Sequence, residues 1–391
     1  MPPPRRAALR RLRDAGGALL DQALVVWMPG PGSYTGEDAA ELSLHGGRAV
    51  IEDVAARLAS LGARPAEPGE FTRRAFLAGR MDLTEAEAVA DLVAAETTAQ
   101  RRQALRQLEG GLRALYDGWA TRLHLMLAQA EALIEFPDED LPPDEEAGLA
   151  AAIAALRDEV AGHLADGRRG ERLREGLVFA ITGPPNVGKS SLINRLAGRD
   201  VAIVAPAPGT TRDVIEARVV LGGVPVTLLD TAGLRATDDP IEAEGGRRAR
   251  ARAADADLVI AVAEADGPPP DPAAGLRVVN KTDLAPAAGR QEDVLAVSAL
   301  TGAGIDTLVD ALSARAAALT ATAGPPMLTR ARHRAALDRL AGCLVRATRA
   351  DLAELRAEDL RLGLRALGTI TGAVDVEAVL DVVFSRFCIG K

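Results

Sequence analysis

Lysine is nearly missing from this chain. Of 46 basic residues only Lys189, Lys281 and Lys391 are lysines, leaving forty-three arginines. Such a skew replaces lysine wherever arginine serves, so the survivors point to places that need a compact ammonium rather than a planar fork. Aromatic residues make up only 3% of the chain, so its cores must be built from Leu, Val, Ile and Ala. Two cysteines, Cys343 and Cys388, exclude a disulfide framework and fit a reducing cytoplasm. No uncharged apolar run reaches the roughly 18 residues of a membrane-spanning helix. The basic stretch Met1 to Arg13 has no apolar core of the kind a secretory leader requires. A net charge of −9 gives no global attraction to nucleic acid, so any RNA contact must use a local basic face. The arginine-rich stretches Arg247–Arg252 and Arg330–Arg334 are candidates for one.

What is present is a globular chain of 391 residues, 48% apolar and 26% charged, long enough for two or three domains. Residues 1–78 mix strand and helix signals. Ala23–Trp27 and Glu41–His45 read as strands around the turn-rich Pro29-Gly-Pro-Gly-Ser33, and Val50–Leu61 reads as a helix. From Leu83 the period is helical. Leu105, Leu108, Leu112, Leu115, Trp119, Leu123, Met126, Ala130 and Leu133 predict one apolar stripe along a long helix, broken at Pro137. A second helix pattern ends near Gly167. Between residues 177 and 310 short apolar runs alternate with loops and helices, which predicts a mostly parallel α/β sheet with helices on both faces. Thr322–Pro326 reads as a linker, after which helical spacing resumes through Leu337, Leu340, Leu344, Leu352 and Leu355 to Ile370. The simplest organisation inserts the α/β domain into a helical domain, giving boundaries of 1–78, 79–172, 173–320 and 321–391.

The α/β segment carries a nucleotide signature. Gly183-Pro-Pro-Asn-Val-Gly-Lys-Ser190 follows an apolar strand and opens a helix, as a phosphate-binding loop must. Its backbone amides and the helix N-terminus can wrap phosphates, Lys189 can neutralise the β- and γ-phosphates, and Ser190 can bind magnesium. Asp230-Thr-Ala-Gly233 ends a later strand, where the magnesium-side aspartate of such a site belongs. Asn280-Lys-Thr-Asp283 places a carboxylate that can accept from the ring N–H and the exocyclic amine of guanine, a pair adenine does not offer. Ser298-Ala-Leu300 fits a backbone contact to the guanine carbonyl. GTP is the expected ligand.

Hydrolysis needs an oriented water, and Leu234, just after the Asp230 motif, cannot provide it. Arg235, Asp238, Asp239 and Glu242 are the downstream candidates. Asn186 and the loop Ala205-Pro-Ala-Pro-Gly-Thr-Thr-Arg-Asp213 offer amide, carbonyl and hydroxyl oxygens suited to a monovalent cation beside the phosphates. Thr210 or Thr211 can complete the magnesium shell.

Taken together, these motifs, Pro208-Gly-Thr-Thr-Arg-Asp213, Asp230-Thr-Ala-Gly-Leu-Arg235 and the terminal Phe387-Cys-Ile-Gly-Lys391 resemble the tRNA modification GTPase MnmE (TrmE) family. Pro29-Gly-Pro-Gly-Ser-Tyr-Thr-Gly-Glu-Asp38 and Pro68-Gly-Glu-Phe-Thr-Arg-Arg-Ala-Phe76 look like the same family, so the likeness spans nearly the whole chain. The resemblance implies a Ras-like G domain inserted in a discontinuous helical domain, with a small α+β folate-binding N-terminal domain that dimerises. It implies potassium-stimulated hydrolysis, with Asn186, Thr210 and the carbonyls near Ala205 and Ala207 on potassium, and Ser190 and Thr211 on magnesium. Glu242 matches the water-orienting glutamate. The nucleotide contacts carried over are Asn186, Val187, Gly188, Lys189, Ser190, Ser191, Ala205, Pro206, Ala207, Pro208, Gly209, Thr210 and Thr211, then Asp230, Thr231, Ala232, Gly233, Asn280, Lys281, Thr282, Asp283, Ser298, Ala299 and Leu300.

The resemblance further implies a cytoplasmic homodimer acting on tRNA with the FAD-containing partner MnmG (GidA). The pair installs a carboxymethylaminomethyl-type group on C5 of the wobble uridine. A 5-formyl- or methylene-tetrahydrofolate supplies the one-carbon unit. Folate contacts carry over to Glu41, Arg80 and Lys391, with Arg80 standing where a lysine is expected, and Cys388 matches the family's C-terminal cysteine. The family begins with roughly forty further residues, including a strand whose loss would expose a sheet edge, so a start upstream of Met1 is the expectation. The competing reading is a ribosome-assembly or regulatory GTPase resembling Era or Der. Against it, no GXXG-centred RNA-binding pattern follows Pro326, and the chain has one P-loop where Der-like proteins have two. A scaffold with a vestigial site is opposed by the intact Lys189, Ser190, Asp230 and Asp283.

Overall fold

A computed structural model describes residues 2–135, 143–198, 216–231, 254–285, 293–321 and 327–374, together with Leu380, Val383, Phe384 and Phe387. It divides into two compact units. The first comprises Met1–Val93, Arg106–Arg157 and Ala336–Lys391; the second comprises Ala94–Leu105 and Asp158–Ala335.

The first unit opens with an antiparallel sheet of β1 (Ala8–Arg13), β2 (Leu19–Met28) and β3 (Ala39–Ser43), with β2 in the middle. Leu24 faces Leu9 on one side and Ser43 on the other. Strand β1 escaped the sequence reading because Ala-Leu-Arg-Arg-Leu-Arg looks like a solvated basic run. Glu41–His45 was expected as a strand, and the pairing instead runs from Ala39 to Ser43. Helix α1 (Arg48–Ser60) packs on β2, and α2 (Glu70–Leu77) and α3 (Leu83–Ala94) follow.

The long helix expected from Leu105 to Leu133 is two helices, α4 (Thr98–Leu108) and α5 (Gly111–Glu135). Gly110 between them adopts φ 82, a left-handed turn that ends a helix even where the apolar spacing continues. The stripe itself holds in α5, which buries Leu112, Tyr116, Trp119, Leu123, Met126 and Ala130. The second helix pattern is α6 (Pro143–Leu164). Near the C-terminus the spacing again hides a break, between α10 (Ala331–Ala347) and α11 (Ala353–Thr371). Helix α5 packs along α11, which buries Ala357, Leu360, Leu367 and Ile370. Leu380, Val383, Phe384 and Phe387 are buried with Leu83 and Ala86, flanked by Phe76 and Met81.

The second unit is an α/β layer structure. After α7 (Arg169–Glu175) come β4 (Leu177–Thr182), α8 (Lys189–Ala197), β5 (Glu216–Leu221), β6 (Val224–Asp230), β7 (Leu258–Glu264), β8 (Leu276–Asn280), β9 (Val294–Ala296) and α9 (Ile305–Thr320). The sheet order is β5-β6-β4-β7-β8-β9, parallel throughout except for the β5–β6 hairpin. Strand β4 is central and carries fully buried Leu177, Phe179 and Ile181, the near-continuous apolar pattern of a strand covered on both faces. Helix α8 contributes Leu192, Ile193 and Leu196 to that core, and α9 contributes Ile305, Leu308, Leu312 and Ala316 at helical spacing. The carboxyl ends of β4, β6, β7 and β8 therefore share one edge of the sheet, the edge where open α/β folds bind ligands.

Candidate nucleotide site

Four short segments leave that edge, and hydrogen bonds tie them together. The loop after β4 reaches α8 through Gly183, Asn186 and Gly188, all at positive φ. A Cβ on Gly183 would sit 2.1 Å from the carbonyl oxygen of Val262 in β7, and one on Gly188 would sit 2.3 Å from Asn280 Nδ2. Any side chain at either place would push the loop off its neighbours, which is why glycine is required there. Lys189 begins α8, is only 4% exposed, and donates from Nζ to the carbonyls of Gly183 (2.9 Å) and Pro184 (2.8 Å). The loop thus curls around the ammonium, leaving it aimed into its own concavity. Ser191 is exposed on the next helical position, while Val187 is fully buried beneath the loop.

The end of β6 joins this loop through a second bond. The Ser190 hydroxyl donates to Asp230 Oδ2 at 2.6 Å, and Asp230 is 2% exposed. Thr231 turns back, its hydroxyl donating to Ile181 O at 2.9 Å. A half-buried hydroxyl in contact with a buried carboxylate forms a hard oxygen donor pair, the kind that holds magnesium. Asn186 is exposed, and its side chain makes no hydrogen bond among the described residues.

The segments after β8 and β9 make the other half. Asn280 is 2% exposed and bridges everything: Nδ2 donates to Val187 O at 2.9 Å, while Oδ1 accepts from the Ala299 amide at 3.0 Å. The phosphate loop, the Asn280 tetrad and the Ser298 turn are thereby one hydrogen-bonded body. Asp283 accepts from the fully buried Ser298 hydroxyl, which itself accepts from the Thr301 amide at 3.1 Å. The Thr282 amide donates to Val297 O at 3.2 Å. Leu300 stands exposed at the rim. Lys281, at φ 63, pairs with Glu264 at the end of β7, a residue absent from the sequence reading. A lone acidic residue at a strand end belongs to no motif, so the sequence carried no signal for it.

Of the residues expected at this site, Ala205, Pro206, Ala207, Pro208, Gly209, Thr210, Thr211, Ala232, Gly233 and Glu242 lie outside the described residues, as do Arg235, Asp238, Asp239 and Arg247–Arg252. The Arg330–Arg334 stretch is partly committed elsewhere. Arg334 pairs with Asp166 (2.6 Å) and Glu171 (3.0 Å) and donates to Leu164 O (2.8 Å).

In the first unit the two N-terminal signatures meet. Tyr34 and Thr72 share a hydrogen bond of 2.9 Å between their hydroxyls, and Arg74 pairs with Glu37 at 2.9 Å. Arg80 is exposed, with its stem against Gly36 of the Pro29–Asp38 loop. Glu41 is exposed on β3, opposite Val26. Gly69, at φ 70, lies against Phe384 and Phe387, so the described part of the C-terminal tail sits on the second signature. Cys388 and Lys391 lie outside the described residues. Cys343 is buried, and burial pushes its thiol pKa up, which makes it a packing residue rather than a nucleophile.

Comparison with known proteins agrees with these motifs along the whole chain. A model of the MnmE helical domain matches residues 83–388, and a model of the GTP-binding protein TrmE N-terminus matches residues 1–80. The tRNA modification GTPase MnmE of Gluconacetobacter diazotrophicus is 61% identical over 396 residues, covering 100% of this chain and 91% of the relative. Those of Granulibacter bethesdensis and Rhodospirillum rubrum are each 55% identical, covering 100% and 97% of this chain and 91% and 86% of their own lengths. Among solved structures, the FeoB G domain of Methanococcus jannaschii matches 36% of this chain and 97% of its own length at 24% identity, with a TM-score of 0.25.

Proposed function

The chain belongs to the MnmE family of tRNA modification GTPases, and from that premise we propose that its GTPase is potassium-stimulated and works with a flavoprotein partner on the wobble uridine of certain tRNAs. The chain is a tRNA-modifying GTPase with a Ras-like G domain and an MnmE helical domain. Its proposed domains are 1–78, 79–172, 173–320 and 321–391. The observation that carries the nucleotide assignment is the Asn280 side chain, which links the phosphate loop to the turn that presents Asp283 and Ser298.

Each residue has a task that follows from its setting. Lys189, already held by loop carbonyls, exchanges them for phosphate oxygens, so its charge is in place before nucleotide arrives. Ser190 and Asp230 would hold magnesium through their oxygens, and the ion would supply positive charge against the phosphates. Thr211 joins them. Asp283 reads the guanine edge, and the Ser298–Leu300 backbone contacts the base carbonyl. Asn186, Thr210 and the carbonyls of Ala205 and Ala207 hold potassium, and Glu242 orients the attacking water. In the N-terminal domain Glu41, Arg80 and Lys391 hold a tetrahydrofolate one-carbon derivative. The protein acts as a cytoplasmic homodimer, and the MnmG-type partner supplies FAD. Among the described residues no helix is long and apolar enough to cross a membrane.

The test is reconstitution. The full chain, with the flavoprotein partner, tRNA, GTP and a folate one-carbon donor, is expected to modify C5 of the wobble uridine, read by nucleoside mass spectrometry. GTP turnover is expected to be faster in potassium than in sodium, and Glu242→Ala is expected to abolish turnover while GTP still binds. Unmodified uridine in the complete mixture refutes the tRNA reading. Equal rates in both salts remove the cation role of Asn186.

A further inference from the structure

Glu264 has no part in any step above, yet its pair with Lys281 sits at the root of the base-recognition loop. Glu264 is the last residue of β7 and stands in register with Asn280, the last residue of β8. Its carbonyl accepts from the Gly267 amide at 3.2 Å, which fixes the turn leaving the strand. Lys281 follows Asn280 in a left-handed conformation, φ 63, that a residue with a Cβ adopts only when its surroundings hold it there. Its Nζ lies 2.5 Å from Glu264 Oε1. Lys281 is also one of only three lysines in a chain that otherwise uses arginine.

Two residues further on stands Asp283, the carboxylate assigned to guanine. It accepts from the Ser298 hydroxyl at Oδ1. An unrestrained ammonium two positions away is a rival donor to the base: a Lys281–Asp283 pair would occupy the oxygens that the two guanine N–H groups need. We propose that Glu264 is a positioning residue for guanine recognition, holding the Lys281 ammonium away from Asp283 and the loop in its left-handed turn. The inference rests on the guanine-nucleotide reading of this site. The side chains of Lys281 and Glu264 are 34% and 38% exposed, and a pair so wet adds little to fold stability. Its effect therefore belongs to nucleotide binding rather than to folding.

The experiment uses the full chain and a fluorescent GDP, with dissociation followed by stopped flow. Glu264→Ala is expected to release GDP about fivefold faster at low salt, with the difference shrinking as salt rises. Glu264→Gln, which keeps a hydrogen-bond acceptor without the charge, should fall between. The decisive variant combines Glu264→Ala with Lys281→Met, which keeps an apolar stem and removes the ammonium. It should release GDP no faster than Lys281→Met alone, because the rival donor is gone. The nucleotide-free thermal midpoint should not move. A full additional loss in the double variant, or a nucleotide-free midpoint that falls with Glu264→Ala, overturns the inference. Unchanged release from Glu264→Ala overturns it while leaving the site reading intact. Failure of the unaltered chain to bind GDP overturns both.

Discussion

The two units hold their signature residues in opposite ways. In the nucleotide unit the polar groups are sunk: Lys189, Asp230, Asn280 and Ser298 are all buried, and each is bonded to another motif or to its backbone. In the N-terminal unit Glu41, Arg80, Arg74 and Tyr34 stand at the surface, and the bonds of Tyr34 and Arg74 join two sequence signatures to each other. Buried polar groups are costly unless fully satisfied, so a site made of them is rigid and sensitive to single atoms. Exposed groups are cheap to hold, and they suit a surface whose binding partner completes the contact. One unit is thus preorganised, and the other presents.

If that contrast is real, the largest single effect lies at Asp283, an exposed carboxylate whose place is set by the buried Ser298 hydroxyl. Asp283→Asn turns one carboxylate oxygen into an N–H₂ donor facing the two N–H donors of guanine, while the phosphate loop is unchanged. A site built for hydrogen bonds rejects a mismatched partner strongly, so GTP affinity should fall by about a hundredfold or more. Titration calorimetry or fluorescent-nucleotide binding checks it. A loss below tenfold would mean that the buried network does not control base choice. The N-terminal signatures should be untouched, which proteolysis or near-UV circular dichroism of the variant can verify.

The same contrast explains what the sequence disclosed. The nucleotide half was legible because each motif is short, contiguous and placed after an apolar strand, so Gly183–Ser190, the described Asp230 and Thr231, and Asn280–Asp283 fell on one sheet edge by topology alone. Glu264 was not legible, since a lone acidic residue at a strand end has no motif and its partner is 17 positions away. Strand β1 hid because its outward arginines outnumber its leucines. The breaks at Gly110 and between α10 and α11 hid because apolar spacing continues through them. The seating of the C-terminal tail on Gly69 joins residues over 300 positions apart, a pairing no local pattern could carry.

Gly69 offers the next test, and it probes the presenting unit. At φ 70 it adopts a conformation unfavourable to any other residue, and an added Cβ would lie 3.0 Å from the Phe384 carbonyl oxygen and from Phe387 Cβ. Gly69→Ala should therefore cost about 1–3 kcal/mol and loosen the tail. Denaturant unfolding measures the cost, and accelerated amide exchange across the tail and α2 locates it. GTP affinity should stay within about twofold, because Gly69 and the phosphate loop belong to different compact units and mutations without shared partners act independently. A matching loss of nucleotide binding would erase the distinction between the units.

The smallest effect is an acid-side one, also in the N-terminal unit. Glu70 is gripped by both terminal nitrogens of Arg64 (2.7 and 2.8 Å), by the Glu67 amide (2.9 Å) and by Arg74 (2.8 Å). The Arg64 hydrogen bonds chiefly hold its carboxyl well below the usual 4.5, at about 2. The unfolded chain binds that proton at higher pH than the folded one does. Stability from this carboxylate is therefore complete above pH 4.5 and drains away as pH falls towards 2. Both arginine partners stand in solvent, which screens the pairs, so the contribution is slight. Glu70→Gln should flatten the fall in stability across that window and change little at neutral pH, as urea titrations at stepped pH would record. The nucleotide unit provides the internal control: resolved unfolding of that unit should keep its pH dependence, because the partners of Glu70, Arg64, Glu67 and Arg74, all lie in the other unit. A change in that dependence would mean that the two units unfold as one body.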